Sequence, residues 1–219
     1  MFGRGVFWVL FLAAIPVAGS AQGFKFSNED KAQQEAEAGR QARINAQLST
    51  PCRDRIKNRK IKVLIGEEVN GIVQARQASY SPHFDAINSR LQSLGLRTYT
   101  QEEIRRQIAQ AEIDAYFKNN PDAALSAARR LAANYTLRGL ISARAMRNPM
   151  IPVNQVAVRM DFVLTGSDGK RVAQADAYSE SYSGADVQRM ALTLINEQAD
   201  EVVARLYSEH CQQPEPRGK

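Results

Sequence analysis

This 219-residue chain holds only two histidines and two cysteines, too few for most metal or nucleophile constellations. His83 and His210 stand far apart, and neither has a second ligand or a nucleophile at a meaningful spacing. No Gly-x-Ser-x-Gly elbow, His-Glu-x-x-His helix or phosphate-cradling glycine loop occurs. The adjacent carboxylates Glu67 and Glu68 do not read as an acid/base pair, because neighbours on an extended chain point to opposite faces. The expectation is a protein that is not an enzyme, with no catalytic, cofactor-binding or metal residues. Its apolar run from Val6 to Val17 falls short of the ~20 residues of a membrane-spanning helix and is broken at Pro16.

That run is informative in another way. Arg4 precedes it and the small residues Ala18, Gly19, Ser20 and Ala21 follow, the order of a secretory signal peptide. Residues 1–21 are therefore expected to be removed after Ala21, which places the protein in a bacterial periplasm, free or peripheral at the outer membrane. No cysteine stands near the cut to accept a lipid.

A hydrophobic content of 44% and a charged content of 24% suit a globular domain. The formal net charge is +6, and basic residues crowd into Arg53, Arg55, Lys57, Arg59, Lys60 and Lys62. Outside the cytoplasm such a run could meet anionic lipid or polymer rather than nucleic acid. Equally, it could solvate an edge strand and keep it from pairing.

Residues 22–51 are rich in Gln, Ala, Glu and Arg. They read as an exposed helix or flexible arm in which Ile44 and Leu48 dock at most one turn. Thr50-Pro51 closes the arm, so a single domain is expected over 52–211, followed by a disordered tail at 212–219. Lys60 to Ile65 has strand character. Pro82 opens a helix with Phe84, Ile87, Leu91 and Leu94 at helical spacing, and Gly95 stops it. Leu96 to Tyr99 is a short strand. Thr100 to Glu103 forms a capping box opening a helix with Ile104, Ile108 and Ala111 on one face. Asn119-Asn120-Pro121 starts another, carrying Ala124, Leu125, Ala128 and Leu131.

From Tyr135 the period becomes two. A strand through Ile141 is followed by the loop Arg147 to Pro152 and the alternating strand Val156 to Leu164. Asp168-Gly169 suits a tight hairpin into Arg171 to Tyr182, where Ala173, Ala175 and Ala177 share one face and would let a helix approach closely. A second capping box, Ser183 to Asp186, launches a final helix through Val187, Leu194, Val202 and Leu206. The order predicts an α/β (α+β) fold: a mixed sheet of about five strands, two helical crossovers followed by a three-stranded antiparallel part, and helices packed on the sheet.

The stretch Ala132 to Ser142, in which a helix ends and a strand reaches Gly139, resembles a group of envelope proteins, as do the Val156 to Leu164 hairpin and the Phe84 to Tyr99 unit. That group includes the curli-secretion channel subunit, the outer-membrane activators of penicillin-binding proteins, and flagellar assembly protein T. The resemblance covers roughly residues 60 to 210. It implies a non-enzymatic accessory role: docking onto an envelope machine and assisting its assembly or regulation, with a protein as partner. The alternative is a module binding an anionic envelope polymer or lipid through Arg53 to Lys62, with Arg138, Arg144 and Arg147. Long connections bounded by proline are often functional, so Arg147, Met150 and Ile151, together with Arg53, Arg55 and Lys57, are the candidate partner-binding residues. Finally, Cys52 and Cys211 stand at the two limits of the domain, and an even pair in an oxidising compartment is expected to form a disulfide.

Overall fold

Alternating apolar residues and helical stripes settle into the order the sequence implies, in a computed structural model that describes residues 26–69, 72–75, 82–118, 132–147, 149–150, 153–183 and 186–213. The expected leader, Ile151 and the helix from Pro121 through Leu131 lie outside the described residues. By contacts the chain divides into two units, residues 1–37 and 38–219. Helix α1 (Phe26–Leu48) carries the surface pair Lys31–Glu35 in the first. In the second, Ile44 is buried and Leu48 packs on the core, as two apolar residues one turn apart allow. A single turn, α2 (Arg53–Ile56), follows.

The sheet is built on β1 (Lys60–Val69), β4 (Tyr135–Arg147), β5 (Asn154–Gly166) and β6 (Arg171–Ser183). Two short strands, β2 (Ile72–Gln74) and β3 (Arg97–Thr98), pair with opposite halves of β1, and the path reads β2-β1-β4-β5-β6. β1 pairs parallel with β4, and the β4-β5-β6 meander is antiparallel. Gly169, at positive φ, turns β5 into β6. β2 is an addition to the expected strands: β1 continues past Gly66 and pairs back on itself.

Helices α3 (Pro82–Ser93) and α6 (Val187–Gln212) lie together on one sheet face. There Ile61, Val63, Leu137, Ile141, Val158 and Phe162 meet Ile87, Leu91, Ile195, Ala199 and Val202. Ala173 and Ala175 are buried under α6, the close approach that small side chains permit. Phe162 fills the space above Gly139, the glycine of the Ala132 to Ser142 stretch: a Cβ there would come within 2.8 Å of Ile65.

Two details differ from expectation. The Thr100 capping box is present, but the helix it opens, α4 (Gln101–Gln107), is short, and α5 (Gln110–Phe117) starts afresh after extended backbone at Ile108 and Ala109. In one continuous helix Ile104 and Ile113, nine residues apart, would face opposite ways at 3.6 residues per turn. The break lets both be buried, at 0% and 1% exposure. At the start of α6, Ser183 is still in β6, buried opposite Asn154, and Asp186 is the cap, accepting from the Arg189 amide at 2.9 Å.

Candidate docking surface

The pleat alternates side chains between the two faces, so each odd residue of β4 that feeds the core leaves an even one on the far side. α5 covers part of that far side. Phe117 lies against Gly66, and Arg138 stacks on the Tyr116 ring at 5.6 Å. Farther along the meander the face opens. Cross-strand pairing sets three rows side by side: Ser142, Arg159 and Tyr178, then Arg144, Ala157 and Glu180, then Met146, Gln155 and Tyr182. Met146, Tyr178 and Tyr182 are 56%, 60% and 57% exposed. Charges ring them: Arg144 pairs with Glu68 at 3.3 Å, and Arg159 with Asp161 at 3.2 Å. The Tyr178 phenol donates to Glu180 at 2.6 Å, a bond to a carboxylate that holds the phenol above its ordinary range. Met150 stands 89% exposed beyond the end of β4. Tyrosine, methionine and arginine are the residues enriched where proteins meet.

Of the residues singled out in sequence, Arg147 ends β4 opposite Asn154 and is exposed. The strand alternation puts it on the α6 side, not with Met146. Arg53, Arg55 and Lys57 sit at the other end of the molecule. Arg55 donates to the carbonyls of Cys211 and Gln213, each at 3.0 Å, and so caps the C-terminus of α6. β4 runs from Tyr135, whose ring meets His210 edge-on, to Arg147, about 40 Å away at the usual rise of a strand. The structure therefore does not bring the two predicted clusters together. Cys52 and Cys211 are bonded, their Cα atoms 5.5 Å apart, and tie α2 to the end of α6.

The basic run is split by what covers it. Arg53, Lys57, Arg59 and Lys60 are exposed, whereas Lys62 is fully buried on the α5 side of the sheet. Its ammonium has no hydrogen-bond partner among the described residues. Burial lowers it to about 8, partly offset by the charge of Glu112. Arg55 and Arg59 instead join Lys170 and Arg171 around an open cleft of about 540 Å³ that also contains Asp168 and His210. Burial, and then the charge of Arg55, lower His210 below its ordinary value.

Glu67 and Glu68 do diverge: Glu67 meets His83 at 2.7 Å and is held below its usual range by that hydrogen bond, while Glu68 meets Arg144. No group of three His, Cys, Asp or Glu side chains able to hold a metal occurs among the described residues. The most enclosed cavity described, between Leu91, Leu137, Val203 and Tyr207, is apolar and only about 30 Å³, room for a single water. Among the described residues no helix is long and apolar enough to cross a membrane.

Sequence reasoning missed Met146, Tyr178, Glu180 and Tyr182. The signal was present in Ala-Asp-Ala-Tyr-Ser-Glu-Ser-Tyr-Ser, Ala175 to Ser183, where small residues alternate with two tyrosines on the solvent face of one strand.

The class these elements define is a mixed α+β sheet with helices packed on it. No protein-family model matches the chain, and no curated protein sequence does. Among solved structures it is similar to lipoprotein GNA1162 from Neisseria meningitidis, at 12% identity and a TM-score of 0.46, over 66% of this chain and 98% of that one. PelC from Paraburkholderia phytofirmans, crystallised as a dodecamer, is similar at 18% identity and 0.42, over 69% and 89%. The LpoB C-terminal domain from Salmonella enterica is similar at 15% and 0.38, over 59% and 93%. These are likenesses in the course of the chain.

Proposed function

We propose that this protein is a non-enzymatic accessory of the bacterial cell envelope that docks onto a protein partner through the open face of β4, β5 and β6. The observation that carries the reading is the exposed triad Met146, Tyr178 and Tyr182, set on one face of β4 and β6 on either side of β5 and ringed by charge. Tyrosine rings bring a large contact area and methionine adapts its shape to a neighbour, so a rigid sheet that displays them in register is suited to binding. The envelope setting is supported by the leader-like N-terminus and by the Cys52–Cys211 bond, which persists only where thiols are not kept reduced.

The test is photo-crosslinking in cells. A photoreactive residue at Met146 or Tyr182 should capture one partner that the same residue at Lys57 does not; Tyr182→Ser should abolish capture from Met146, and Met146→Asp capture from Tyr182, without shifting thermal unfolding. Capture at Lys57 with none at Met146 or Tyr182 would refute it.

A second reading has its own observation, the cleft framed by Arg55, Arg59, Lys170 and Arg171, which fits an anionic envelope polymer or lipid. Binding to anionic vesicles should then weaken steeply with salt, and Arg59→Glu with Lys170→Glu should remove it. Retention on vesicles at high salt counts against it.

A further inference from the structure

The open face described above is small. From Ser142 to Met146 and across three strands it measures about 14 by 10 Å. A specific interface usually takes about 800 Å² from each partner. A partner docked there must continue past a boundary of the patch, and the nearest boundary is the outer edge of β6.

That edge is treated differently in its two halves. In the first half, the Gln174 amide donates to Glu209 of α6 at 2.7 Å, and the Asp176 carbonyl accepts from Arg205 at 2.9 Å. Two side chains of one helix thus occupy the outward-pointing backbone groups, a common way to stop an edge from recruiting another strand. The same bonds establish the phase: the even-numbered residues of β6 direct their amides and carbonyls outward. In the second half those residues are Tyr178, Glu180 and Tyr182. Among the described residues nothing is bonded to their outward backbone groups, and α6 sends no side chain to them. Their side chains are the β6 members of the three rows. Glu180 enters no ion pair among the described residues, its one side-chain hydrogen bond there being the one it accepts from the Tyr178 phenol.

We propose that the outer half of β6, Tyr178–Tyr182, takes up an extended segment of the partner protein as an additional strand. A cationic side chain of that segment lies opposite Glu180, and apolar side chains lie opposite Tyr178 and Tyr182. The proposal deepens the docking reading and rests on it. Edge addition supplies main-chain hydrogen bonds for affinity and alternate side-chain contacts for selectivity, and it extends the small face into one large enough to hold a partner. Charge selects a foreign strand over a second copy of this chain. Two β6 strands centred on Glu180 would oppose two carboxylates. Sliding them to set Tyr178 against Glu180 would carry Tyr182 onto Asp176, whose carbonyl Arg205 already occupies.

The probe is a synthetic peptide of about nine residues, alternating isoleucine and threonine with one central lysine, titrated against the full mature chain. It should bind, and N-methylation of the backbone amides on one edge, tested for each edge in turn, should weaken it about tenfold for one of the two, through lost ladder bonds. Glu180→Lys should reverse the preference, favouring the same peptide with a central glutamate by about tenfold. Glu180→Gln, which keeps the strand's shape, should bind both peptides alike. Binding that is indifferent to N-methylation, no binding up to millimolar peptide, or no reversal by Glu180→Lys would overturn the proposal. A dimer seen in sedimentation and abolished by Glu180→Lys would overturn the choice of a foreign strand. Crosslinks from Met146 that persist while N-methylation has no effect leave the docking face standing and remove only the added strand. Loss of those crosslinks with peptide discrimination intact removes the docking reading instead.

Discussion

Lys62 is the residue whose replacement should most clearly expose the physics of this core. Its side chain is completely buried beneath the α5 side of the sheet, its ammonium has no hydrogen-bond partner among the described residues, and Glu112 compensates only in part. A lysine that ordinarily titrates at 10.5 is held at about 8. The folded state therefore binds its proton less tightly than the unfolded chain, a penalty on the order of 3 kcal/mol at neutral pH. Below pH 8 both states are protonated and the penalty is fully present. Between 8 and 10.5 the unfolded chain holds a proton that the folded one has released, so stability rises with pH through that window. The rise should be about 2 kcal/mol from pH 8 to 10. Tyr99, Tyr116 and Tyr135, which burial pushes above the ordinary phenol range, would begin to oppose it beyond 10. Lys62→Met keeps the length and removes the charge. In urea unfolding at a series of pH values the variant should be more stable at pH 7, by up to about 3 kcal/mol, and should show a flatter profile from 8 to 10. A variant less stable than the parent at pH 7, or one with the same slope, would refute the reasoning.

Two further outcomes follow from the packing. Cys52 and Cys211 enclose a loop of 159 residues, for which chain entropy credits the bond with at most about 5 kcal/mol; either Cys→Ser change should lower the melting temperature markedly, and the double change should cost no more than one, as differential scanning calorimetry would show. Gly139→Ala should cost about 1–3 kcal/mol, because its Cβ would press on Phe162 and Ile65; Gly39→Ala on α1, whose Cβ would make an ordinary 3.8 Å contact with the Arg43 guanidinium, should leave denaturant unfolding unchanged or raise stability by up to about 1 kcal/mol.

How much was legible in advance depends on whether the deciding interaction is local. Helix stops, caps and turns are local: Gly95 at positive φ, the Thr100–Glu103 capping box and the Asp168-Gly169 hairpin act within a few residues, and each stands where its sequence placed it. Period-two and helical stripes likewise predicted the meander and the helix on it, because one buried face is enough to set register. The pairing of Cys52 with Cys211 needed only their number and the compartment expected from the leader-like N-terminus. What the chain by itself could not decide was which of two polar-looking positions would be covered. Lys62 belongs to a basic run by composition and shares a face of β1 with the exposed Lys60, yet it is covered on the side of the sheet where a helix more than forty residues downstream packs. The break at Ile108 exists because Ile104 and Ile113 must reach the same interior, a demand set by the sheet beneath them. The candidate docking surface is the converse case: Met146 and Tyr182 lie thirty-six residues apart and become neighbours through β5. Only the tertiary structure leaves that face uncovered, because α5 spans one part of it and α6, committed to the other side, seals the edge of β6 no farther than Asp176.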